Sequence, residues 1–183
     1  GLFNHRPRND ERFYDGEYPF IQTGDVAKAN KYITTYSQTL NELGKSVSKE
    51  FPKGTLVMTI AANIGDIAVL NFDAYFPDSV IGFIPFPEYH WNYLYYMFIA
   101  MKTSFVNASI ISTQMNLNIN RVKELHLPIT FDILEQLDIA RFLDNKCEEI
   151  DGLMSKKETL INNLEEYKKS LIYECVTGKR EVV

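Results

Sequence analysis

The sequence predicts an α+β protein: a domain built on a mixed, twisted β-sheet, followed by a long C-terminal α-helix that forms a coiled coil. Two observations predict this architecture. Short apolar runs separated by turn residues fill residues 1–131. Residues 132–177, in contrast, contain no proline and a single glycine, and their apolar residues recur in heptads. We therefore expect one domain over 1–131, a helix over 132–177 and a short tail over 178–183.

The elements of the domain follow from the order of its apolar runs and turn residues. We expect residues 1–17 to form a loop, and a further N-terminal strand of the domain to lie ahead of it, because a fold seldom opens on a loop. Strands are predicted at 18–23, 55–60, 67–70, 79–85 and 125–129. Helices are predicted at 37–47, capped by Ser37, and at 88–106, and exposed polar loops at 26–36 and 107–118.

The C-terminal helix carries one narrow apolar stripe. At about 1.5 Å per residue, its length would be roughly 65 Å. Burying each Leu or Ile contributes roughly 1.5–3 kcal/mol, so we expect the stripe to pack against a partner helix. Lys146 and Lys157 interrupt the heptads, and Thr177-Gly178-Lys179 is the predicted stop. The predicted interface residues are Ile139, Leu143, Ile150, Leu153, Leu160, Leu164, Tyr167 and Leu171.

Composition narrows the possible functions. No apolar run reaches the roughly 18 residues of a membrane span. Two cysteines far apart fit a reducing cytoplasm better than a disulfide framework. The sequence has no phosphate-binding glycine loop, no nucleophile elbow and no metal-ligand spacing among its three histidines. The signal for an enzyme is therefore weak, and we expect neither a catalytic residue nor a metal site in this chain.

The net charge of −5 is unevenly distributed. Residues 1–131 hold 11 Lys and Arg against 12 Asp and Glu, a net charge of −1, whereas residues 132–183 hold 8 against 12, a net charge of −4. The domain is thus close to neutral and is compatible with a basic face. Such a balance fits a specific reader of DNA better than a nonspecific DNA-binding protein.

Three polar loops carry side chains suited to reading DNA. Arg and Lys contact phosphates or guanine, Asn and Gln pair with adenine, and Ser and Thr serve either role. The alternative is that these loops are simply solvated, and composition alone favours it. The candidate phosphate contacts are Arg6, Arg8 and Arg12, and the other candidate DNA contacts are Lys28, Asn30, Lys31, Thr34, Thr35, Thr113 and Gln114.

Several phrases occur in an order that resembles one known family. They are Gly16-Glu-Tyr-Pro-Phe-Ile-Gln-Thr-Gly-Asp25, Pro52-Lys-Gly-Thr-Leu-Val-Met-Thr59, Thr113-Gln-Met-Asn-Leu-Asn118 and Leu125-His-Leu-Pro-Ile129, followed by the helical tail through Lys168-Lys-Ser-Leu-Ile172. Together they resemble the DNA specificity subunit of type I restriction-modification systems. The resemblance covers essentially the whole chain.

The resemblance implies a non-catalytic subunit whose domain reads one half of a split DNA target in the major groove. It implies docking to methyltransferase subunits, with S-adenosylmethionine, ATP and Mg bound by partner subunits and no cofactor in this chain. The family carries two such domains, whose helices pair antiparallel and set the spacing of the half-sites. This chain holds one domain and one helix, so we expect either a homodimer or a second recognition half. The alternative is a coiled-coil scaffold whose globular head binds protein.

Overall fold

The computed structural model describes residues 2–5, 9–110, 117 and 119–181, and it contains two compact units, Gly1–Asp138 and Ile139–Val183. The described strands are β1 (Tyr14–Phe20), β2 (Tyr32–Ile33), β3 (Gln38–Leu40), β4 (Glu50–Phe51), β5 (Leu56–Thr59), β6 (Ile67–Leu70), β7 (Ala74–Tyr75) and β8 (Val80–Phe83). The described helices are a 3-10 turn (Glu11–Phe13), α1 (Thr23–Lys28), α2 (Glu42–Ser46), α3 (Trp91–Ala100), α4 (Lys102–Ile110), α5 (Ile119–Glu124) and α6 (Ile133–Val176).

The strands form two four-stranded sheets, and each mixes parallel and antiparallel pairs. The first has the order β3-β1-β7-β4, with β1 parallel to β7 and the other pairs antiparallel. The second has the order β2-β6-β5-β8, with β2 parallel to β6. All residues of β5 and β6 are buried, as expected for continuous apolar runs in central strands. The predicted α+β class with a mixed sheet and a long C-terminal helix is confirmed.

Aromatic side chains fill much of the core. The rings of Phe51 and Phe76 stack with their centroids 4.1 Å apart. Gly82 of β8 lies beside them, where a Cβ atom would come within 2.9 Å of both rings. A second cluster joins Phe3 and Phe13 to Phe20 of β1. These clusters give the short strands a rigid support, which in turn fixes the loops between them.

The structure corrects the predicted elements over the first 47 residues. The predicted loop over 1–17 contains the start of β1, and the predicted loop over 26–36 contains the end of α1 and β2. The helix predicted over 37–47 is wrong in its first half, because β3 pairs there with β1. Its cap is Asn41 rather than Ser37: the Asn41 side chain accepts hydrogen bonds from the backbone N–H groups of Leu43 and Gly44 at 3.0 and 3.1 Å.

Two later predictions also need correction. The helix predicted over 88–106 is divided at Met101 into α3 and α4, and α4 extends to Ile110, into the predicted polar loop. No strand covers residues 125–129, all of which the structure describes. Pro128 cannot donate to a strand ladder, and the Ile129 N–H closes a tight turn onto the Leu127 carbonyl at 2.9 Å.

Helix α6 has defined signals at both ends. The Asp132 carboxylate accepts the backbone N–H of Leu134 at 2.9 Å, which caps the first turn. At the other end Gly178 adopts a φ of +72°, and the N–H groups of Gly178 and Lys179 bond to the carbonyls of Cys175 and Glu174. This is the Schellman pattern, and it confirms the predicted stop. The predicted boundary between residues 131 and 132 stays a prediction.

Candidate DNA interface

Five of the predicted DNA contacts line one cleft of about 360 Å³ in the first unit, here called the α1–β2 cleft. Four of these five side chains are exposed and the fifth, Lys31, is half-buried. The predicted contacts in the cleft are Lys28, Asn30, Lys31, Thr34 and Thr35, and the other lining residues are Asp25, Ala29, Tyr32 and Ile33.

The cleft is held by its flanking elements. Helix α1 begins with a capping box, in which Gln22 and Asp25 satisfy each other's backbone N–H groups, and it ends at Lys28. Strand β2 then pairs with the buried strand β6. Between them the Lys31 carbonyl accepts the Val69 N–H at 2.9 Å, and the Asn30 carbonyl accepts the Tyr95 hydroxyl at 3.0 Å. The backbone of this loop is therefore anchored to the core while most of its side chains face water.

The charges that line the cleft are favourable to a polyanion. Two lysines face one carboxylate, Asp25, a net charge of +1 among the lining residues. The Asp25 carboxylate accepts hydrogen bonds from the backbone N–H of Gln22 at 2.8 Å and from the Ser37 hydroxyl at 3.1 Å. Hydrogen bonds to these donors offset part of the negative charge that would otherwise repel a phosphate.

Lys31 lies among four aromatic rings, three of which are distant from it in the sequence. Its Nζ is 5.8 Å from the ring centroid of Tyr32, 5.6 Å from Trp91, 5.2 Å from Tyr95 and 5.1 Å from Tyr96. Three of the rings lie in the helix predicted over 88–106, which is rich in aromatic residues. No local pattern links that helix to a lysine some sixty residues earlier.

Arg12 does not line the cleft and is engaged in an ion pair. Its guanidinium donates to both oxygens of Asp10, with Nη2 to Oδ2 at 2.7 Å and Nε to Oδ1 at 3.0 Å. His5 Nε2 also lies 3.0 Å from Asp10 Oδ2. The hydrogen bond from Arg12 holds the pKa of Asp10 well below its usual range, and Asp10 raises the pKa of Arg12. Arg12 is nevertheless largely exposed, so its role as a phosphate contact stays a prediction.

The four remaining predicted contacts cannot be placed by geometry. Arg6, Arg8, Thr113 and Gln114 lie outside the described residues. Among the residues that are described, no group of three or more His, Cys, Asp and Glu side chains is arranged to hold a metal ion. No helix in the same described ranges has both the length and the apolar character needed to cross a membrane.

The predicted interface stripe on α6 is accessible along the second unit. Ile150, Leu153, Leu160, Leu164 and Tyr167 are each 51–58 % exposed, and Ile139, Leu143 and Leu171 are half-buried. Large apolar side chains that recur at heptad spacing on one helix face are typical of a coiled-coil seam. Their packing against a partner helix stays a prediction.

A family model and several solved structures resemble this chain. The model of the type I restriction modification DNA specificity domain matches residues 4–163. A chain from a structure of type I R-M system assembly and conformational transition superposes with a TM-score of 0.71 at 16% identity, and the match covers 94% of this chain and 42% of that one.

Two crystal structures of single subunits are also similar. The HsdS subunit from Thermoanaerobacter tengcongensis gives a TM-score of 0.60 at 16% identity, covering 83% of this chain and 35% of that one. The S subunit of a type I restriction-modification system from M. genitalium gives 0.50 at 16% identity, covering 85% and 44%. This chain thus spans less than half the length of each of these three chains. The family match confirms the predicted resemblance and the non-catalytic class: the chain belongs to the type I restriction modification DNA specificity domain family.

Proposed function

We propose that this chain reads one half of a bipartite DNA target and that the α1–β2 cleft carries part of the readout. One observation supports the cleft in particular. Five side chains chosen from the sequence for their DNA-reading chemistry line a single depression with a net positive lining. Membership of the specificity domain family supports the general function.

The cleft side chains divide into two chemical roles. Lys28 and Lys31 supply ammonium groups for phosphates or for guanine. Asn30, Thr34 and Thr35 supply the amide and hydroxyl groups that distinguish base edges in the major groove, where all four base pairs differ. The lysines would therefore contribute affinity that depends on salt, and the three polar side chains would contribute sequence preference.

The remaining parts of the proposal concern other chains. We propose that the chain docks methyltransferase subunits, and that S-adenosylmethionine, ATP and Mg are bound by the partner subunits. The exposed stripe of α6 would pair antiparallel with a second helix. That helix would come from a second copy or from a second recognition half, and the second domain would read the other half-site. Two identical halves would require a target with two-fold symmetry.

The experiment that tests the readout is selection of bound duplexes from a random-sequence DNA pool, with partner methyltransferase subunits present. We expect the native chain to enrich one sequence motif. A variant with Asn30→Ala, Thr34→Ala and Thr35→Ala should bind DNA but enrich a different or weaker motif. A matched triple variant on the outer surface of α6, Ser155→Ala, Thr159→Ala and Asn162→Ala, should enrich the native motif.

Two results would count against the proposal. Failure of the native chain to enrich any motif would contradict DNA readout as a whole. Enrichment of the native motif by the cleft variant would contradict the cleft as the reader while leaving the general function intact.

A further inference from the structure

We propose that the four aromatic rings around Lys31 hold its ammonium group in place as a pre-positioned contact for a DNA phosphate. The four rings, here called the aromatic cage, belong to Tyr32 of β2 and to Trp91, Tyr95 and Tyr96 of α3. This inference rests on the proposed function and adds three positioning residues, Trp91, Tyr95 and Tyr96, that lie on a helix outside the predicted DNA-reading loops.

The cage consists of two pairs of contacting rings. The rings of Tyr32 and Trp91 contact each other with their centroids 6.1 Å apart, and those of Tyr95 and Tyr96 contact each other at 5.2 Å in an edge-to-face arrangement. All four centroids lie between 5.1 and 5.8 Å from Lys31 Nζ. A cation within about 6 Å of an aromatic ring is attracted to the electron-rich face of the ring.

The backbone at Lys31 is fixed by the same elements that carry the cage. Tyr95 is buried, and its hydroxyl donates to the carbonyl of Asn30, the residue before Lys31. The carbonyl of Lys31 itself accepts the N–H of Val69 in β6. Tyr95 therefore links α3 to the loop as well as lying beside the ammonium group, so both the start and the end of the Lys31 side chain are constrained.

This constraint on Lys31 matters for binding because a lysine side chain has four rotatable bonds. A free lysine loses most of its rotamer freedom when its ammonium settles on a phosphate. Aromatic rings restrict Lys31 before DNA arrives and leave its positive charge intact, whereas Lys28 on the same cleft is exposed and has no described ring contact. Lys31 should therefore contribute more to DNA affinity than Lys28 does, although both carry one charge.

A double-mutant cycle in the full chain tests this coupling, with a mixed-sequence DNA duplex as the probe. Lys31→Met should weaken binding and make the slope of log affinity against log salt shallower by about 1, as for the loss of one phosphate contact. Tyr96→Leu should weaken binding by about three- to tenfold when Lys31 is present. In the Lys31→Met background, Tyr96→Leu should have no further effect, because the cage would act only through that ammonium.

Controls separate positioning from folding. Tyr32 is 43% exposed, so Tyr32→Leu disturbs the core least and should repeat the result of Tyr96→Leu. Tyr96→Phe keeps the aromatic ring, so this variant should bind DNA with the affinity of the native chain. Equal losses from Tyr96→Leu with and without Lys31 would overturn the inference, as would a native salt slope for Lys31→Met. If the native chain does not bind the duplex at all, the proposed function fails instead.

Discussion

At the scale of single residues, Gln136 joins the first turn of α6 to two loops of the first unit. Its side chain is fully buried; Nε2 donates to the carbonyls of Thr130 at 2.9 Å and Glu88 at 3.4 Å, and Oε1 accepts the His90 N–H at 2.7 Å. One buried amide thus pairs with three partly buried backbone groups. Gln136→Met would keep the volume and remove all three bonds.

We expect Gln136→Met to lower the free energy of unfolding by about 2–4 kcal/mol, because unsatisfied buried polar groups are costly. Urea denaturation measures this. Gln136→Glu should also be destabilising at neutral pH, since a carboxylate accepts the His90 N–H but cannot donate to the two carbonyls. The control Asn162→Met, on the exposed outer face of α6, should change stability by less than about 0.5 kcal/mol. A native midpoint for Gln136→Met would show that these bonds do not stabilise the fold.

We expect Tyr75 of β7 to make the free energy of unfolding decrease as the pH rises through the alkaline range. Burial, followed by the hydrogen bond to Glu50, raises the pKa of Tyr75 from 10.0 to about 12. Between these values the unfolded chain loses the proton while the folded chain keeps it, so stability present below pH 10 is lost as the pH rises towards 12. The free energy of unfolding should fall by about 1–2 kcal/mol over that range. Urea titrations should show that Tyr75→Phe removes this part of the slope; an unchanged slope would contradict the assignment.

The sequence predicts which candidate contacts lie together only where those residues are close to one another in the sequence. Lys28, Asn30 and Lys31 share one polar segment, so an anchored loop brings them together. Trp91 and Tyr96 were visible as aromatic residues, but their position beside Lys31 depends on where α3 packs against the second sheet. That packing is a tertiary contact, and no spacing in the sequence encodes it.

At the scale of elements, two helical glycines should respond to alanine in opposite ways. A Cβ atom at Gly44 in α2 would lie 2.2 Å from the Phe13 carbonyl oxygen, whereas one at Gly152 in α6 would meet nothing within 4 Å. Helix propensity alone favours alanine at both positions by about 1 kcal/mol. The close backbone contact at Gly44 should reverse that preference.

We therefore expect Gly44→Ala to destabilise the first unit by about 1–3 kcal/mol through overpacking. Gly152→Ala should stabilise α6 by about 0.5–1 kcal/mol. Urea denaturation and thermal melting followed by circular dichroism measure the two effects. If Gly44→Ala instead stabilised the protein, the backbone around Phe13 would be able to move away from the added Cβ atom without a loss of stability.

The exposed apolar stripe on α6 is predicted to mediate self-association. Leu160→Lys would place a charge among the apolar side chains and should weaken self-association at least tenfold, as expected when an apolar seam must accommodate an ammonium group. Asn162→Lys adds the same charge two residues away on the outer face and should leave association unchanged. Sedimentation equilibrium compares the two. Equal association by both variants and the native chain would exclude the stripe as the interface.

Periodicity predicted α6 well and the short elements poorly, for a physical reason. A 44-residue helix repeats its pattern many times, so the signal accumulates. Leu40, Leu43 and Val47 have helical spacing, yet Leu40 belongs to β3 because its ladder with β1 outweighs a weak local preference. Strands of two residues, such as β2 and β4, carry too little pattern to detect.

At the scale of the whole molecule, the chain is acidic overall, with a net charge of −5, although we propose that it binds DNA. These are compatible because the acidity is concentrated in residues 132–183, and the α1–β2 cleft has a net positive lining. A local positive surface is sufficient to release counterions from a duplex, whatever the total charge. DNA affinity should therefore depend on where a lysine lies rather than on how many the chain has.

The salt dependence of DNA binding tests this claim most directly. The slope of log affinity against log salt should become shallower by about 2 in the variant Lys28→Met with Lys31→Met, because each phosphate contact contributes about 0.9. The charge-matched variant Lys168→Met with Lys169→Met, on exposed positions of α6, should keep the native slope. A cleft variant whose slope equals that of the native chain would contradict the account.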